Sequence, residues 1–232
     1  MKAILFDVDD TLFDYRGASR LGILGYLAAL GEVADEDAGA RWEELERVEY
    51  ARFLTGELTF VEQRRERARA MASQPLGDAE ADAWFAGYRE HFEAAWRTFE
   101  DVTPTLAALA GYGLGVLSNS DTAYQRGKLH RLGLGDTFRT VLGIDTIGAA
   151  KPDPAAFLAG CAALGCAPDE TAYVGDLLDV DALGATAAGL RGIWLDRTGT
   201  GGGPPGVARV TSLAELPALL ERFRVGSATQ DR

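Results

Sequence analysis

The sequence predicts an α/β protein: a doubly wound, Rossmann-like parallel sheet with an α-helical bundle inserted after its first strand. Three observations predict it. Five short apolar segments each finish on small polar or acidic residues. Helical patterns lie between the later ones, and strands alternating with helices mean βαβ units and a parallel sheet. One long stretch, residues 17–97, breaks the alternation and reads as helix throughout.

The elements follow in order. KAILFDVD at 2–9 starts apolar and ends acidic, which suits a strand buried on both faces. In the insertion, Leu21, Leu24 and Ala28 line one face of a first helix, and Trp42, Leu45, Val48 and Phe53 one face of a second. Thr59 with Glu62 three residues on is a capping box that opens a third. Asp78 opens a fourth, in which Trp84, Tyr88, Phe92 and Trp96 are spaced by fours. Gly31, Gly56 and Pro75-Leu76-Gly77 separate these pieces. The alternation resumes with Thr103-Pro104 as N-cap and first residue of a helix stopped by Gly111. LGVLSNS at 114–120, TVLGID at 140–145, TAYVGD at 171–176 and GIWLD at 192–196 are the next strands. Asp153-Pro154 opens a helix that carries Phe157, Cys161 and Leu164 on one face and stops at Gly165. After a glycine/proline loop at 199–206, a strand at 208–211 and a helix at 213–223 complete the fold. The expected domains are a core of 1–15 with 98–225, a helical domain of 16–97 and a disordered tail of 226–232.

Composition narrows the chemistry. The 232 residues carry 23 basic and 35 acidic side chains, a net charge of −12. That argues against a nucleic-acid groove or a polybasic membrane surface. No apolar run approaches a membrane span, and aspartates interrupt the N-terminus where a signal peptide needs an apolar region. A cytoplasmic protein is expected. Two histidines leave little room for a histidine zinc site or a Ser-His-Asp relay, and two cysteines make no disulfide framework. Chemistry must rest on carboxylates, hydroxyls and one of three lysines: Lys2, Lys128 and Lys151.

Ligands bind beyond the carboxyl ends of strands in an open parallel sheet. Asp7, Asp9, Asp10 and Thr11 stand there after the first strand, Ser118, Asn119 and Ser120 after the second, Asp145 after the third and Asp176 after the fourth. Carboxylates converging at one mouth repel unless a cation sits among them. Oxygen ligands suit Mg²⁺, which keeps positions for water and a substrate phosphate. There is no Walker lysine pattern and no G-x-G-x-x-G after a strand, which disfavours a kinase or a dehydrogenase. The residues therefore point to Mg²⁺-dependent phosphoryl chemistry.

Four motifs in order resemble those of the haloacid dehalogenase-like hydrolase superfamily. Asp7-Val8-Asp9-Asp10-Thr11 is similar to its D-x-D-x-T signature. Ser118-Asn119, Lys151-Pro152 and Gly175-Asp176 with Asp179 and Asp181 are similar to the other three. The helical insertion has the position and length of that family's helical cap. The resemblance implies a nucleophile at Asp7 and a general acid and base at Asp9. It implies Mg²⁺ held by the carboxylates of Asp7 and Asp176 and the backbone carbonyl of Asp9. Phosphate would be held by Ser118, the amide of Asn119 and Lys151, with Asp181 orienting Lys151 or a metal-bound water. An acid at Asp9 favours ester hydrolysis over dehalogenation, since halide needs no protonation. The implied substrate is a small phosphorylated metabolite, such as a nucleoside monophosphate or a sugar phosphate, and the DDTLFD and Gln125–Leu129 stretches look most like that branch. The alternatives are phosphoglycolate phosphatase or phosphosugar mutase activity on the same residues, and behind them a 2-haloacid dehalogenase or a non-catalytic binding protein on this fold. Leu177 departs from the pattern, which has a small hydroxyl or amide residue there, and puts metal affinity in question. The cap is expected to close over the mouth and to choose the substrate.

The remaining residues have plainer readings. Asp145 reads as a solvated strand-end acid, Asp179 as a helix N-terminal acid, Cys161 as core, and His91 and His130 as surface. The run Arg64, Arg65, Arg67 and Arg69 spans several helix faces and reads as mostly solvated. The sequence carries no reading of oligomeric state.

Overall fold

A computed structural model describes residues 1–199 and 201–228. The chain folds as two units, Met1–Phe13 with Thr98–Arg232, and Asp14–Arg97.

The first unit is built on six parallel strands in the order β3-β2-β1-β4-β5-β6. They are β1 (Ala3–Phe6), β2 (Gly113–Leu117), β3 (Thr140–Leu142), β4 (Thr171–Gly175), β5 (Arg191–Leu195) and β6 (Ala208–Val210). The chain winds outward from β1 to β3, then returns to the other side of β1 for β4. That reversal opens a crevice at the carboxyl ends of β1 and β4. Phe6 pairs with both Val116 and Val174, so the three central strands end at one level. Ala3, Ile4, Leu5 and Phe6 are wholly buried, as are Ala172, Tyr173 and Val174. A strand covered on both faces has no polar alternation to keep, hence the unbroken apolar runs.

The second unit consists of α1 (Tyr15–Leu30), α2 (Glu36–Leu54), α3 (Phe60–Met71) and α4 (Asp78–Ala94). The capping box of Thr59 and Glu62 is formed, and Gly31 and Gly56 take the left-handed conformation at the breaks. Along one face Tyr88 stacks on Phe92 with centroids 5.9 Å apart, and Phe92 meets Trp96 edge to face at 5.8 Å. The buried face of α1 differs from the expected one. Ala18, Ser19, Gly22, Ile23 and Leu27 point inward, while Leu21 is exposed. Close helix approach decides this: a Cβ on Gly22 would lie 2.6 Å from the Phe92 Cα, so the glycine face packs inward and rotates Leu21 out.

In the first unit the remaining helices are α5 (Val102–Ala108), α6 (Thr122–Arg131), α7 (Ile144–Ile147), α8 (Pro154–Leu164), α9 (Gly184–Ala187) and α10 (Leu216–Ala228). Phe157 and Cys161 on α8 pack on Leu5, Leu117 and Tyr173 of the sheet. Three expectations shift. The third strand stops at Leu142, and Asp145 lies on α7, whose start follows Gly143. α5 is capped by Asp101 rather than Thr103, because the Asp101 carbonyl already accepts from Thr105, and it ends before Gly111. Part of the expected tail is helix, since α10 runs through Ala228; residues 229–232 lie outside the described residues. No described helix is long and apolar enough to cross a membrane.

Candidate active site

The loop after β1 is shaped by one tight turn. The amides of Thr11, Leu12 and Phe13 all donate to the Val8 carbonyl, and Asp10 adopts a positive φ of 56°. Aspartate tolerates that conformation better than most side chains. Asp7 still belongs to the sheet, its amide donating to Val174 O at 2.9 Å. Asp7 is thus fixed by strand pairing and Asp9 by the turn.

Lys151 comes from the loop before α8 and is almost fully buried. Its ammonium donates to Asp7 Oδ1 at 2.7 Å, Asp181 Oδ1 at 2.8 Å and the Tyr173 hydroxyl at 2.7 Å. Tyr173 in turn donates to the Leu117 carbonyl. The side chain of Asn119 clamps the Lys151 main chain from both sides, donating to its carbonyl at 2.8 Å and accepting from its amide at 2.7 Å. So the Asn119 side chain positions Lys151, while the sequence reading used its backbone amide. Burial opposes the charge on Lys151, but Asp7 and Asp181 outweigh it and hold the lysine above its ordinary value.

Asp181 lies in a π-helical turn, Leu178–Leu183, just after β4. Its second oxygen accepts from the Leu177 amide at 3.0 Å, so position 177 contributes through its backbone while its side chain is exposed. Gly175 makes the approach possible, since a Cβ there would fall 2.4 Å from the Asp181 carboxylate. The carbonyl of Asp176 accepts from the Trp194 indole at 2.9 Å, which anchors that residue's main chain.

Carboxylate oxygens of Asp7, Asp176 and Asp181 lie within 4.8 Å of one another. Asp7 is raised to about 7: burial raises it most, Lys151 opposes, and Asp181 and Asp9 add to the rise. Three acids and one lysine leave negative charge that a cation would neutralise. The all-oxygen donor set suits a hard divalent ion.

Ser118 Oγ accepts from the Ser120 amide at 3.2 Å and from Gln125 Nε2 at 3.0 Å. Asp9 Oδ1 accepts from Lys128 at 2.5 Å, and Asp9 Oδ2 from Gln125 at 3.1 Å. Neither α6 residue was singled out for a site from the sequence. Asp145 is exposed as expected, but it is also bound, accepting from the amide and hydroxyl of Thr122 at 2.8 Å each. Cys161 is core, and Asp179 and His130 are exposed. His91 is half-buried instead, its ring against Tyr26 and bonded to the Gly87 carbonyl. Arg67 overturns the solvated reading of its run: it is buried in the helical unit, paired with Glu46 at 3.0 Å and stacked over Trp42 at 4.1 Å.

Residues 1–189 match the family model of the haloacid dehalogenase-like hydrolases. The chain is 33% identical to a glyceraldehyde 3-phosphate phosphatase of Methanothermobacter thermautotrophicus, over 83% of this chain and 84% of that one. It is 32% identical to a phosphoserine phosphatase of Thermus thermophilus, over 85% and 89%. Among solved structures, the magnesium-bound HAD-hydrolase YfnB of Bacillus subtilis superposes with a TM-score of 0.79 at 21% identity, covering 95% of this chain and 98% of that one.

Proposed function

Since the chain belongs to the haloacid dehalogenase-like hydrolases and is a phosphatase, we propose that it hydrolyses a small phosphate monoester at Asp7 with the help of Mg²⁺. The observation that carries the reading is the buried contact of Lys151 with Asp7 and Asp181 beside Asp176.

Asp7 attacks phosphorus, and the bond to the ester oxygen breaks as the aspartyl-phosphate forms. Asp9 donates a proton to the departing alkoxide, then takes one from the water that attacks the aspartyl-phosphate, releasing inorganic phosphate and free Asp7. Ser118 accepts two hydrogen bonds through its oxygen, and its own hydrogen donates to a phosphate oxygen, beside the Asn119 amide. Lys151 neutralises charge on the phosphate and on Asp7. Asp7, Asp176 and the Asp9 carbonyl would hold Mg²⁺, which supplies charge neutralisation between the phosphate and the attacking carboxylate. Asp181 holds Lys151 in place. The relatives' different phosphorylated substrates support a small phosphorylated metabolite here, and the helical unit Asp14–Arg97 would serve as the cap that selects it.

Chelation tests the reading. EDTA should abolish hydrolysis of an aryl phosphate, Mg²⁺ should restore it, and Ca²⁺ should restore little, because its larger and looser coordination sphere misplaces the nucleophile. Full activity after exhaustive chelation would remove the metal from the mechanism.

A further inference from the structure

Lys128 is one of three lysines in the chain, and it is 2% exposed. It sits on α6, a helix whose other face is polar and exposed. Burying an ammonium costs several kcal/mol unless a close partner compensates. Here the ammonium reaches Asp9 Oδ1 at 2.5 Å and lies 4.8 Å from the centre of the Phe13 ring and 5.0 Å from that of Tyr124. Gln125, three residues earlier on the same helix face, is wholly buried and donates to the other oxygen, Asp9 Oδ2. The same amide nitrogen donates to Ser118 Oγ.

Two donors from one rigid helix therefore take one oxygen each of a single carboxylate. That fixes the plane of the carboxylate as well as its position. A carboxylate has about four acceptor sites, so each oxygen keeps one for a leaving group or a water. Asp9 lies on a loop, and its side chain is about one-third exposed, so the two α6 donors restrict a rotamer that burial does not hold.

We propose that Lys128, with Gln125, is the positioning residue for Asp9, aiming its carboxylate at the leaving-group oxygen while Gln125 ties that aim to Ser118. This rests on the reading of Asp9 as general acid and deepens it. Lys128 does not touch the substrate. It acts through Asp9, so its removal should matter only where Asp9 matters.

A double-mutant cycle tests this, with an alkyl and an aryl phosphate as probes and Mg²⁺ present. Asp9→Asn alone checks the underlying reading: it should lower kcat/KM far more for the alkyl ester, by about 10²–10⁴-fold, because an aryl oxygen leaves without help. Lys128→Met keeps the aliphatic volume and should show the same alkyl preference at a smaller size, about tenfold or more, in kcat rather than KM. In the Asp9→Asn background, Lys128→Met should have little further effect. An equal loss for both esters, or an undiminished loss in the Asp9→Asn background, would overturn the proposal while leaving Asp9 itself in place. An equal loss for both esters in Asp9→Asn alone would instead remove the reading beneath it. Should Lys128→Met fail to fold, Lys128→Gln carries the same cycle with the same outcomes.

Discussion

At the carboxyl ends of β1 and β4, three carboxylates gather and one lysine pairs with two of them; inside the helical unit, Arg67 meets Glu46 one to one. Both centres include buried charge, and both recruit hydroxyls, Tyr173 accepting from Lys151 in the first and Tyr15 and Ser19 donating to Glu46 in the second. The difference is the balance of charge. In the helical unit the pair is matched, and Trp42 and Phe85 cover the guanidinium at 4.1 and 5.5 Å. Arg67 Nε and Nη2 are buried with no hydrogen-bond partner, so the pair leaves donors unmet but no surplus charge, and it ties α2 to α3, with α1 joined through Glu46. At the strand ends the acids outnumber the lysine that binds them, and the surplus is an unfinished arrangement that a cation and a phosphate would complete. Buried charge alone is a poor sign of chemistry; buried charge that does not balance is a better one.

The comparison can be broken by removing the cation from each centre. Lys151→Met should lower kcat by about 10²–10³-fold, the usual loss of a preorganised charge at a reacting group. Circular dichroism should show the fold retained with Mg²⁺ present. Near-normal turnover in a folded variant would place Lys151 outside the chemistry. Arg67→Met should do the reverse. It strands Glu46 and should cost about 3 kcal/mol of stability, while kcat/KM for a simple aryl phosphate stays near wild type. A selective fall in turnover without loss of stability would make the helical centre functional and dissolve the contrast.

The finest test uses protons. Asp7 is raised from 3.8 to about 7 by burial, with Asp181 and Asp9 adding to it against Lys151. A raised carboxyl holds its proton in the folded chain after the unfolded chain has lost it. Its contribution to stability is full below about pH 4 and is lost as pH rises through about 7. In EDTA, the Tm of the wild type should therefore fall relative to that of Asp7→Asn across this window. Saturating Mg²⁺ should flatten the difference. Parallel curves in EDTA would show that the cluster carries no surplus charge.

Much of the strand-end site was legible in the sequence. Strands buried on both faces read as continuous apolar runs, so the first polar residue after each run marks the crevice. Asp7, Ser118 and Asp176 were found this way, and Lys151 through Pro152-Asp153-Pro154 at a helix start. Lys128 and Arg67 were hidden for one shared reason. Each is a charged residue in a polar helix, where the pattern predicts solvent, and only a tertiary partner makes burial tolerable. The scarcity of lysine was the available signal for Lys128. The inward face of α1 was missed because a glycine contact, Gly22 on Phe92, outweighed apolar spacing. Asp101, which caps α5 and accepts from Arg197, Ser212 and Leu213, has partners about a hundred residues away that no local pattern reveals.

The central claim is that the surplus charge serves a phosphoryl transfer to Asp7. Acid quench of the enzyme during turnover of an aryl phosphate, followed by borohydride reduction and peptide mass spectrometry, tests it directly. An aspartyl-phosphate is reduced to homoserine, and the account predicts homoserine at position 7, dependent on Mg²⁺ and on substrate and absent in Asp7→Asn. Reduction at another carboxylate, or continued turnover by Asp7→Asn with no residue reduced, would contradict it.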